Sequence, residues 1–156
     1  MHLIDAYVQK IHPKAKVPTY GTDFAGCFDI SCVIDEDQVY VHPGCFVTLR
    51  TGLIFRIPED TVMRIYPRSG LSFNGNMTLC NSVGIIDSDY NNEVLVRLYR
   101  FVDQNDSCDY EPIVIKSGDR VAQAEIVPRS QTIFSVSSEG FVPRGNRIGG
   151  FGSTGK

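Results

Sequence analysis

Apolar and polar residues alternate in short segments along most of the chain. Val39-Tyr-Val-His42, Phe46-Val-Thr-Leu-Arg50, Leu53-Ile-Phe-Arg-Ile57 and Val62-Met-Arg-Ile-Tyr66 show it in the first half. Val94-Leu-Val-Arg-Leu-Tyr-Arg-Phe101, Ile113-Val-Ile115 and Val121-Ala-Gln-Ala-Glu-Ile-Val127 show it in the second. A period of two puts successive side chains on opposite faces of an extended backbone, and these segments are rich in β-branched residues, so each predicts a strand. Turn-forming clusters at His42-Pro-Gly44, Pro58-Glu-Asp60, Asn91-Asn92 and Lys116-Ser-Gly-Asp119 cut the chain at the spacing of a sandwich or barrel. No long stretch has the helical period; at most a short helix follows Pro67-Arg-Ser-Gly70. The expected class is mainly β, a jelly-roll or β-barrel built from two sheets. Strand patterning stops near Gly140, which divides the chain into a barrel domain over 1–139 and a C-terminal arm over 140–156 that orders on a ligand or a neighbouring subunit.

Composition narrows the function classes. With 156 residues, 42% of them hydrophobic, one domain buries a sizeable core without disulfides. A formal net charge of −3 leaves no basic excess to neutralise phosphates along a strand, so neither a nucleic acid nor an anionic membrane is expected as partner. The opening MHLIDAYVQK lacks the basic-then-apolar pattern of a secretion signal and no apolar run spans a bilayer, so a cytoplasmic location is expected. Cys27, Cys32, Cys45, Cys80 and Cys108 are odd in number and show no Cys-x-x-Cys spacing; buried or half-buried reduced thiols are expected.

Four segments carry candidate chemistry. The tail Gly150-Phe-Gly-Ser-Thr-Gly-Lys156 matches most of a Walker A pattern, but a P-loop needs a helix after it to face the phosphate, and Lys156 is the last residue here. Its glycine-rich backbone and hydroxyls still suit phosphate oxygens, or else form a tail with no site. Pro67-Arg-Ser-Gly-Leu71 places a guanidinium, a hydroxyl and a glycine at one turn, which is also an ordinary turn composition. In Gly84-Ile-Ile-Asp-Ser-Asp-Tyr90, Asp87 and Asp89 share one face if the segment is extended; a solvated hairpin is the alternative. Gly118-Asp-Arg-Val-Ala-Gln123 is a turn entering a strand.

Read in order with Gly26-Cys-Phe-Asp-Ile30, these segments resemble the five ordered motifs of the trimeric dUTP diphosphatase (dUTPase) family, from about residue 20 to the end. The resemblance implies a β-rich jelly roll, a homotrimer with active sites shared between subunits, and magnesium-assisted hydrolysis of dUTP to dUMP and pyrophosphate. It implies that Asp87 orients or deprotonates the attacking water and touches the sugar 3′-hydroxyl. Tyr90 would pack on the deoxyribose and exclude ribonucleotides by shape, while Asn81, with backbone groups of the same hairpin at Gly84, would hydrogen-bond uracil. Arg68, Ser69 and Gly70 of a neighbouring subunit would meet the phosphates, with Ser69 near the α–β bridging oxygen, and Gln123 would add a phosphate contact. Asp119 and Arg120 are expected to pair with each other structurally. Asp29 is implied at the magnesium site, through water. In the arm, Phe151 would stack on uracil, with Gly152, Ser153 and Thr154 on the phosphates.

Three departures stand out. Asn146-Arg147-Ile148 makes the last motif two residues longer than R-G-x-G-G-F, so Arg144, which keeps the Arg-Gly pair, or Arg147 meets the γ-phosphate. Cys27 and Asn92 stand where glycine is common in the family, and asparagine tolerates the left-handed backbone. Two other functions fit the same fold: a dCTP deaminase, which needs a glutamate beside the base such as Glu93 or Glu125, and a protein-binding module that senses dUTP.

Overall fold

The computed structural model describes residues 3–36, 38–102, 111–142 and Gly145. Seven strands precede a short helix: β1 (Tyr7–Lys10), β2 (Thr19–Tyr20), β3 (Phe28–Ser31), β4 (Gln38–Val41), β5 (Phe46–Arg50), β6 (Leu53–Arg56) and β7 (Thr61–Tyr66). The helix α1 (Ser69–Gly75) follows Pro67-Arg68, as expected. Then come β8 (Met77–Leu79), β9 (Gly84–Asp87), β10 (Leu95–Arg100), β11 (Ile113–Lys116) and β12 (Arg120–Pro128). Every pairing is antiparallel, in sheets of order β2-β3-β12-β7-β9, β5-β10-β8, β1-β6 and β11-β4.

The alternation read from the sequence sorts the side chains. Thr61, Met63 and Ile65 of β7 are buried while Arg64 is exposed, and Val96 and Leu98 of β10 are buried while Leu95 and Arg97 are exposed. Ile30, Leu53, Met63, Met77, Leu98 and Ile115 come from six strands and meet in one core from which water is excluded.

One irregularity shapes the site. The register of β12 on β3 shifts between Arg120 and Ala122. In an unbroken strand Arg120 and Gln123, three positions apart, would face opposite sides. The extra residue of the bulge restores a common face, and both side chains stand beside Asp29.

The expected Asp119–Arg120 pair does not form. Asp119 Oδ2 instead accepts from the Lys116 N–H at 2.8 Å, closing the turn between β11 and β12. Gly118 in that turn has φ +92°, and a Cβ there would lie 2.7 Å from Lys16 Nζ. The turn geometry uses Asp119 locally, and the bulge turns Arg120 toward Asp29.

Strand pairing ends at Pro128, before the expected boundary at Gly140. From Arg129 to Val142 there is no strand or helix, and Ile133, Phe134, Val136, Phe141 and Val142 are 86–101% exposed. Cys32 is buried, and burial, with Asp119 nearby, pushes its thiol up to about 11. Cys27 is half-buried, whereas Cys45 and Cys80 are exposed, contrary to expectation; Cys108 lies outside the described residues. No helix among the described residues is long and apolar enough to cross a membrane.

Candidate active site

Asp29 on β3 lies opposite Gln123 on β12, which lies opposite Tyr66 at the end of β7. Arg68 follows β7 as the residue capping α1. Its Nε donates to Asp29 Oδ1 at 2.7 Å and its Nη1 to the Arg120 carbonyl at 3.2 Å. Arg120 Nη1 donates to Asp29 Oδ2 at 2.9 Å, and Gln123 Nε2 donates to the Pro67 carbonyl at 2.9 Å. One carboxylate, 15% exposed, is thus shared by two guanidinium groups, which leaves the cluster with a positive charge. A guanidinium has five N–H donors, and these contacts use two of those on Arg68. Beside it, Ser69 and Gly70 are exposed.

Asp29→Ala would leave two cations facing each other. The expected loss is about 2 kcal/mol of unfolding free energy, read as a lower urea midpoint. An unchanged midpoint would mean that the triad carries no stability.

A cavity of about 300 Å³ opens between β8, β9 and β10, lined by Ile65, Leu79, Cys80, Asn81, Gly84, Ile85, Ile86, Leu95 and Arg97. The turn from Leu79 to Gly84 is tight: Val83 N donates to the Asn81 carbonyl at 2.6 Å, and Ser82 takes a left-handed φ of 62°. A Cβ on Gly84 would sit 3.2 Å from Ile65 Cβ and 3.6 Å from Asn81 Nδ2. Gly84→Ala is therefore expected to narrow the cavity and raise KM for its ligand about tenfold, with kcat less affected; equal kinetics would place the ligand elsewhere. Among the described residues no carboxylate lines the cavity, and the one charged side chain, Arg97, stacks with Cζ 3.9 Å from the Phe46 ring centroid.

The strand that begins at Gly84 ends at Asp87, opposite Val62 of β7. A turn follows, in which Tyr90 N donates to the Asp87 carbonyl at 3.1 Å and the Tyr90 hydroxyl donates to the Glu93 carbonyl at 3.1 Å. Asp87, Ser88, Asp89, Glu59 and Arg129 line a hollow of about 510 Å³. Asp87 and Asp89 line the same hollow, but Asp89 lies in a turn, so the extended segment that would put both on one strand face is not formed. Arg129 Nε at 2.8 Å and Ser88 Oγ at 3.4 Å both donate to the Glu59 carbonyl, joining the start of the exposed segment to the Asp87 turn. Glu59 and Arg129 escaped the sequence reading, because only the β12–β7–β9 pairing brings these distant residues to Asp87.

Asp87 and Arg68 lie at opposite ends of β7. The step from Val62, opposite Asp87, to Tyr66 spans about 13 Å, and Arg68 lies beyond it. The structure therefore unites Asn81 with Gly84, and Asp29 with Arg68 and Gln123, and places Asp87 and Tyr90 at one turn. It does not bring the Asp87 turn to the Arg68 cluster. Arg144, Arg147, Phe151, Gly152, Ser153 and Thr154 lie outside the described residues. A hollow of about 630 Å³ beside Leu3, Tyr20 and Phe28 touches the first motif at Gly26 and Phe28 but holds none of the predicted site residues.

The sequence model of the dUTPase family matches residues 13–155. The chain belongs to that family. A deoxyuridine 5'-triphosphate nucleotidohydrolase of Desulfitobacterium hafniense is 36% identical over 151 residues, covering 96% of this chain and 93% of the relative. That of Nautilia profundicola is 38% identical over 150 residues, covering 96% and 97%. The dUTPase of Staphylococcus bacteriophage 80alpha with dUPNHPP superposes with a TM-score of 0.77 at 21% identity, covering 97% of this chain and 98% of that one. A mutant dUTPase from phage phi11 of S. aureus, described for its coordination of a structural Mg(II) ion, gives 0.72 at 20% identity over 86% of this chain and 97% of its own. At these identities the two phage dUTPases support the mainly β fold.

Proposed function

We propose that this chain is a dUTP diphosphatase that hydrolyses dUTP to dUMP and pyrophosphate. Membership of the dUTPase family supports the substrate, and the observation that carries the site is the β9 hairpin. One short strand joins the cavity at Asn81 and Gly84 to the carboxylate of Asp87 and the ring of Tyr90. A base held in the cavity by Asn81 and backbone groups near Gly84 puts its sugar toward the turn. Tyr90 then packs on the deoxyribose, and Asp87 accepts a proton from the water that attacks the α-phosphorus.

The phosphate residues Arg68, Ser69, Gly70 and Gln123 sit at the far end of β7 from Asp87, so one copy supplies only half of such a site. This supports a homotrimer in which a neighbouring subunit brings its Arg68 cluster to the Asp87 turn. There the Ser69 hydroxyl donates to the α–β bridging oxygen as charge develops on it. The arm from Gly140 then closes, Phe151 stacking on the base, Gly152, Ser153 and Thr154 meeting phosphates, and Arg144 the γ-phosphate.

Asp29 is the residue assigned to magnesium, through water. Each of its oxygens accepts one guanidinium N–H and retains capacity to accept from a metal-bound water. No group of three or more potential protein ligands exists among the described residues, which fits an ion that takes its ligands from a triphosphate and water. Magnesium supplies charge neutralisation on the phosphates when bound.

The deaminase alternative needs a glutamate beside the base. Glu93 is engaged by Arg50 and Gly52, Glu125 accepts the Tyr66 hydroxyl at 2.7 Å, and neither lines the cavity. The deciding experiment measures pyrophosphate and ammonia release from dUTP, dCTP, dTTP and UTP with magnesium. Pyrophosphate from dUTP alone is expected; ammonia from dCTP would replace the proposal with the deaminase.

A further inference from the structure

We infer that Glu93 is the positioning residue for Tyr90, and through it for the rejection of ribonucleotides, given the sugar-facing role proposed above for Tyr90. The Tyr90 hydroxyl donates to the main-chain carbonyl of Glu93, while the Glu93 carboxylate reaches back to the barrel. Its Oε1 accepts from the Gly52 N–H at 2.7 Å, and its Oε2 from Arg50 Nε at 3.1 Å. The side chain is only 17% exposed. Phenol and carboxylate therefore hold the two ends of one short connection.

The barrel end of that connection is fixed. Gly52 has φ +69°, and a Cβ there would lie 2.7 Å from His12 Cβ and 2.8 Å from Ala15 Cβ, so it is wedged against the chain before β2. Its carbonyl accepts from Ile11 N at 2.8 Å, and the Arg50 carbonyl accepts from Val33 N at 2.8 Å. Next to Glu93, the fully buried Thr51 donates to the Val94 carbonyl at 2.7 Å, and Val94 N donates to the Leu53 carbonyl at 3.0 Å.

The turn itself has no such rigidity. Asn91 and Asn92 are exposed, and the hydrogen bonds Tyr90 N to Asp87 O and Asn91 Nδ2 to Asp89 O stay within the turn. Asparagine pairs tolerate several turn conformations. Without Glu93 the 37% exposed Tyr90 ring loses its fixed distance from the sugar, and a contact that rejects a 2′-hydroxyl by shape relaxes first.

The experiment compares kcat/KM for UTP and dUTP in the full chain and in Glu93→Ala, Glu93→Gln, Arg50→Gln and Tyr90→Ala. In Glu93→Ala the UTP:dUTP ratio is expected to rise about tenfold. Glu93→Gln, which keeps an acceptor for Gly52 N–H, should return most of the discrimination, and Tyr90→Ala should raise the ratio at least as far. A purely structural Glu93 would lower both nucleotides together, and that unchanged ratio overturns the inference. If Tyr90→Ala alone shifts the ratio, Glu93 is wrongly assigned while the Tyr90 reading stands; if neither shifts it, both fall. Should Glu93→Ala not fold, Arg50→Gln decides, with a smaller rise supporting the inference and an unchanged ratio overturning it.

Discussion

Replacing Asp87 by asparagine is expected to lower kcat for dUTP about 1,000-fold and to leave KM and thermal stability nearly unchanged. The amide has the shape of the carboxylate and still accepts a hydrogen bond from a sugar hydroxyl, but it cannot take a proton from water. Stability should hold because Asp87 is exposed at a strand end and forms no ion pair among the described residues. Pyrophosphate release under saturating dUTP, with a melting curve alongside, reads both quantities. Turnover within a few-fold of the parent would move the base elsewhere, and Asp89 and Glu59 are the other carboxylates in the same hollow.

Truncation after Pro143 removes Arg144 and everything beyond, and is expected to cost about 100-fold in kcat/KM for dUTP. The barrel keeps its strands, since the last among the described residues ends at Pro128, so circular dichroism and melting temperature should match the full chain. Under the proposed mechanism the truncation removes Phe151 from the base, the Ser153 and Thr154 hydroxyls from the phosphates, and the exclusion of water that strengthens electrostatics at the reacting phosphorus. Undiminished turnover in the shortened chain would remove the arm from catalysis. A loss confined to KM would assign it to binding alone.

Much of the fold was legible because the longer strands obey the two-residue period. The segments 61–66 and 95–100 bury alternate side chains where they pair on both sides, 120–128 does so only around Gln123, between buried Ala122 and Ala124, and the patterns predicted all three within a residue or so. The elements missed are those whose burial does not alternate or whose length is too short to show a period. β1 has a single half-buried residue among exposed ones, β2 has two residues and β8 three, β3 is buried at three of its four positions, and β9 has four residues.

The residues proposed for the site stand out in the sequence as motifs, whereas their partnerships do not. Asp29 meets Arg68 and Arg120 across 39 and 91 positions of sequence, and that meeting depends on sheet order and on one extra residue in β12. The role of Glu93 was equally hidden, because its partners are Arg50 at the end of β5 and Gly52 in the turn to β6.

That extra residue in β12 also constrains how the gene can change. Restoring regular pairing on β3 with Val121 still present would put Arg120 and Gln123, three positions apart, on opposite faces and separate one guanidinium from Asp29, whereas deleting Val121 together with the bulge would leave them two positions apart on one face. With Val121 present, sheet regularity and the charge cluster pull against each other. The bulge and its extra residue therefore stand or fall together in any lineage that keeps the cluster.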